Sequence, residues 1–75
     1  MDDAWKDAHY DEAYQRIAAY LAYRHREEGE GFRTVARQML EAAQVRLGND
    51  QEGRGLAAEL ELEATIAAFE AFLAE

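Results

Sequence analysis

Two histidines in this sequence each stand three residues before a glutamate, His9 with Glu12 and His25 with Glu28. On a helix that spacing presents two metal ligands on one face. A site needs more than two, and on a single helix the pairs are about 24 Å apart, too far to converge. No metal site is expected from them. Sixteen carboxylates offer groups for acid–base work, but general acids and bases act from concave, partly desolvated pockets, and a short helical chain seldom encloses one. Serine and cysteine are absent, and Thr34 and Thr65 have no histidine near them in sequence, so no activated nucleophile is in view. The glycine-rich stretch GNDQEGRG at 48–55 lacks the lysine of a phosphate loop and follows a helix rather than a strand. Its Asn49, Asp50 and Glu52 miss the spacing of an EF-hand. Neither an enzyme nor a cofactor is expected.

The chemistry that remains is that of charge and apolar contact. Asp2, Asp3, Asp7, Asp11 and Glu12 place five carboxylates within about 18 Å of helix, close to the charge spacing along one nucleic-acid strand. Asp3, Asp7 and Asp11 form one row. Like charges four residues apart oppose the helix by a few tenths of a kcal/mol per pair, partly offset by the N-terminal dipole. Ordinary capping and solubility explain such a row; the sharper reading is an imitation of phosphates that fits a basic groove. Trp5 and Tyr23 lie on an outer stripe of the same helix and are expected to touch a partner. Arg24, Arg26, Arg33 and Arg37 gather around a glycine break, but Glu27, Glu28 and Glu30 lie among them, and pairing at helical spacing neutralises the patch.

The composition narrows the partners. Net charge −8 over 75 residues disfavours direct binding to nucleic acid or to anionic membrane and favours a basic or apolar partner. No apolar run approaches the roughly 20 residues that span a bilayer, and the N-terminus MDDAWKDAHYDEAY carries neither a basic start nor an apolar stretch; a cytoplasmic location is expected. With no cysteine there is no disulfide or thiolate metal site to staple a chain at the size where stability is marginal. Sixteen alanines, no proline and seven arginines to one lysine favour helix throughout and hint at a high-GC bacterial or phage source.

Three helices must carry these residues. The first is expected over about 3–28, capped by Asp2 or Asp3 and ended by Gly29 and Gly31, with Tyr10, Ala13, Tyr14, Ile17, Tyr20 and Leu21 inward. The second, over about 32–47, is the clearest amphipathic segment: Phe32, Val35, Ala36, Met39, Leu40, Ala43 and Leu47 follow the helical period. Gly48 and Asn49 should stop it, leaving a loop at 48–55. The third, over about 56–74, is apolar on two sides. Leu62, Ile66, Phe69 and Leu73 form one stripe, and Leu56, Leu60, Ala64, Ala67 and Ala71 the reverse, with Glu59, Glu63 and Glu70 between them. A helix with two apolar faces is sandwiched, either within its own fold or against a second chain.

These features predict a single all-α domain, a small three-helix bundle with a long first helix, and a homodimer that buries Leu62, Ile66, Phe69 and Leu73. Its expected role is non-enzymatic: a small acidic inhibitor or adaptor that engages a basic or nucleic-acid-binding protein, in the manner of anti-restriction and anti-CRISPR proteins, an analogy of size and charge alone. Partner contacts are expected at Asp3, Trp5, Asp7, Asp11, Glu12, Tyr23, Glu59, Glu63 and Glu70. The rival is a homodimeric structural or regulatory module whose acidity serves only solubility.

Overall fold

Gly29 ends the first helix because it can take a left-handed backbone, φ 77°, which a side chain would resist. Nothing lies within 4 Å of where its Cβ would be, so the requirement is conformational and not one of space. The computed structural model describes residues 4–49 and 55–75, and every one of them except Gly55 and Glu75 is helical. Helix α1 is Ala4–Glu28, a 3₁₀ turn spans Gly29–Gly31, α2 is Phe32–Asn49 and α3 is Leu56–Ala74. The expected caps Asp2 and Asp3 and the connection 50–54 lie outside the described residues. Gly48 does not stop α2: its φ is not positive, and the helix runs through it to Asn49. At the start of α3, Gly55 has φ 81°, and its carbonyl accepts the first turn's hydrogen bond from the Glu59 N–H at 3.1 Å.

Helices α1 and α3 run parallel. His9 meets the Ala57 carbonyl at 3.2 Å, Arg16 reaches Glu61 and the His25 ring meets Phe72, so both helices ascend together. Helix α2 runs against them, with Arg33 from its first turn donating to the Leu73 carbonyl at 2.8 Å. Helix α3 packs on both α1 and α2, which touch each other only sparsely. The resulting plate measures 44 × 26 × 17 Å, with a radius of gyration of 13.3 Å against about 11 Å for a globular chain of this length.

The core is a cluster of Leu21, Phe32, Ala36 and Phe69, with Ile17, Met39, Leu40, Phe72 and Leu73 packed around it. A second, thinner seam joins α1 to α3 through buried Ala13, Ala64 and Ala68; small side chains let the two backbones approach closely.

The two-faced pattern of α3 is thus answered inside one chain. Leu62 and Phe69, only 9% and 3% exposed, and Leu73, packed on the core, are covered by α2 and α1, and Ile66 is half-buried. The stripe expected to meet a second copy is therefore occupied by the fold itself, because α2 lies where the second chain was placed. Tyr20 and Val35, both expected inward, are each 38% exposed. They follow Ile17 and precede Met39 by one turn and edge the gap where α1 and α2 fail to close. Leu56 is exposed as well.

Phe69→Ala removes a buried side chain from the cluster to which all three helices contribute, and large-to-small changes of this kind cost about 3–5 kcal/mol. In a domain of marginal stability the variant should be largely unfolded at 25 °C, whereas Glu70→Ala, one residue on and exposed, should melt as the parent does. Circular dichroism melts compare them.

Candidate functional site

The acidic residues singled out in the sequence separate into two groups once the helices are placed. Asp7 and Asp11 stand on one α1 stripe with Tyr14 and Ala18, at gaps of four, three and four, and both are exposed. Tyr14, Ala18 and Ala22 line a shallow groove of about 250 Å³ with Ala68 and Ala71 of α3. Beside that groove, on the outward side of α3, lie exposed Glu63 and Glu70 and half-buried Glu59. Asp7, Asp11, Glu63 and Glu70 therefore share one broad face of the α1–α3 pair. Among the described residues none of the four has an ion-pair partner. Arg26 stands at the far end of the face. Asp3 lies outside the described residues.

Glu12, Trp5 and Tyr23 belong to a different stripe. Trp5 is 49% and Tyr23 56% exposed, and Glu12, two turns from Trp5, is exposed and has no ion-pair partner among the described residues. The potential partner one turn on, Arg16, is drawn across to Glu61 at 3.0 Å.

On the other side of the α1–α3 seam is a polar bridge. One Glu61 carboxylate oxygen takes the hydrogen bond from Arg16 and the other lies 3.5 Å from His9. Glu61 also borders a cleft of about 500 Å³ between α2 and α3, walled by Met39, Ala42 and Ala43 and floored by Ala58, Leu62 and Phe69, with Arg46 at its edge. The one hydroxyl at this cleft, Thr65 Oγ1, donates to the Glu61 backbone carbonyl at 2.7 Å, so it is already committed within its own helix. Among the described residues no three His, Asp or Glu side chains gather as a metal cluster.

The arginines near the turn are tied into the fold. Arg24 donates to Glu28 and to the Tyr20 hydroxyl and lies over the Phe32 ring, 4.8 Å from its centroid. The hydrogen bond to Glu28 raises the Arg24 pKa above its ordinary value, which keeps an already permanent charge in place. Arg33 caps the end of α3 through the Leu73 and Glu75 carbonyls, as cations at a helix C-terminus do. His25 pairs with Glu30 at 2.9 Å. Arg26 and Arg37 stay exposed.

Sequence reasoning missed the cleft and Glu61. A signal was present: Glu61 and Thr65, one turn apart, interrupt the apolar side of α3, and a polar pair there marks a place where the core opens. No family model matches the chain, and neither curated proteins nor solved structures return a match. No helix among the described residues is long and apolar enough to cross a membrane.

The Glu61 bridge is half-exposed, so its worth is bounded. Glu61→Gln should lower stability by about 1 kcal/mol or less, and the difference from the parent should narrow near 1 M salt, where the screening length is about 3 Å. Urea titrations at low and high salt measure it.

Proposed function

We propose that this protein is a non-enzymatic binding module that sets its acidic α1–α3 face against a cationic surface of another macromolecule, a basic or nucleic-acid-binding protein. The observation that supports this reading is the set of four carboxylates, Asp7, Asp11, Glu63 and Glu70, on one face with no ion pair among the described residues. Glu28, Glu30 and Glu61, by contrast, are each held in an ion pair within the fold. Asp7 and Asp11 are about 6 Å apart along the helix, near two steps of the roughly 3.4 Å axial charge spacing on one nucleic-acid strand. An inhibitor that occupies the nucleic-acid-binding groove of another protein by imitation, of the anti-restriction or anti-CRISPR kind, fits that spacing and the size of the chain. The rival reading, a homodimeric module with no charge-based partner, draws its support from exposed Trp5 and Tyr23.

Binding separates the two. Asp7→Asn, Asp11→Asn, Glu63→Gln and Glu70→Gln together should leave the melting curve unchanged or slightly raised, since Asp7 and Asp11 repel each other by a few tenths of a kcal/mol. Capture of a basic partner from lysate should weaken by at least about tenfold at low salt, with a flatter salt dependence and mainly a slower association rate. If the fourfold variant holds the same partner as tightly as the parent, the acidic face serves solubility and the charge-based reading falls.

A further inference from the structure

We draw no further inference here: the strongest candidate, the shallow groove between α1 and α3 lined by Tyr14, Ala18, Ala22, Ala68 and Ala71, is a stripe of small residues beside the acidic face already described, and nothing in the structure shows what covers it.

Discussion

Phe69 of α3 shares one buried cluster with Leu21 of α1 and with Phe32 and Ala36 of α2, and Phe72 beside it meets His25 of α1 and Phe32 of α2. With α1 and α2 in sparse contact, each is held mainly through α3, which has enough apolar surface for two neighbours. The plate shape follows. Two helices that both need the same third helix lie on either side of it, α1 against the alanine seam at 64 and 68 and α2 against Leu62 and Phe69.

The helices were legible because their signals are local. Alanine content, the absence of proline and the glycines at 29, 31 and 55 set the ends of α1 and the start of α3 within a residue or two. The demand for cover on both sides of α3 was legible too, but not what supplies it. A periodic pattern states that Leu62 and Phe69 must be buried; it carries no information on whether α2 or a second chain does the burying, because that depends on how far α1 and α2 lie apart. Gly48 shows the opposite failure. A glycine can end a helix by taking positive φ, yet it can also stay helical at a cost of about 1 kcal/mol, as Gly48 does here.

For the candidate surfaces, position along the chain was misleading. The acid row read as one feature from Asp3 to Glu12 divides in space: Asp7 and Asp11 face the same way as Glu63 and Glu70, more than fifty residues later in sequence, while Glu12 turns with Trp5 to the other side. That grouping needed the parallel register of α1 and α3, which rests on cross-helix contacts such as His9 with Ala57 and Arg16 with Glu61. Cationic side chains gather differently. Arg24 and Arg33 are drawn onto aromatic rings and helix-end carbonyls, which removes them from the surface that the acids occupy and leaves that surface one sign over most of its length.

The parallel seam between α1 and α3 also governs the order in which the chain can assemble. Its partners are separated by more than forty positions, as in His9 with Ala57 or Arg16 with Glu61, whereas the neighbours joined by the short turn, α1 and α2, have little to hold them together. A hairpin of the first two helices is therefore a poor nucleus, and the loop-closure entropy of bringing α3 back must be met before most native contacts form. Completion of the α1–α3 seam is therefore coupled to closure of the whole chain.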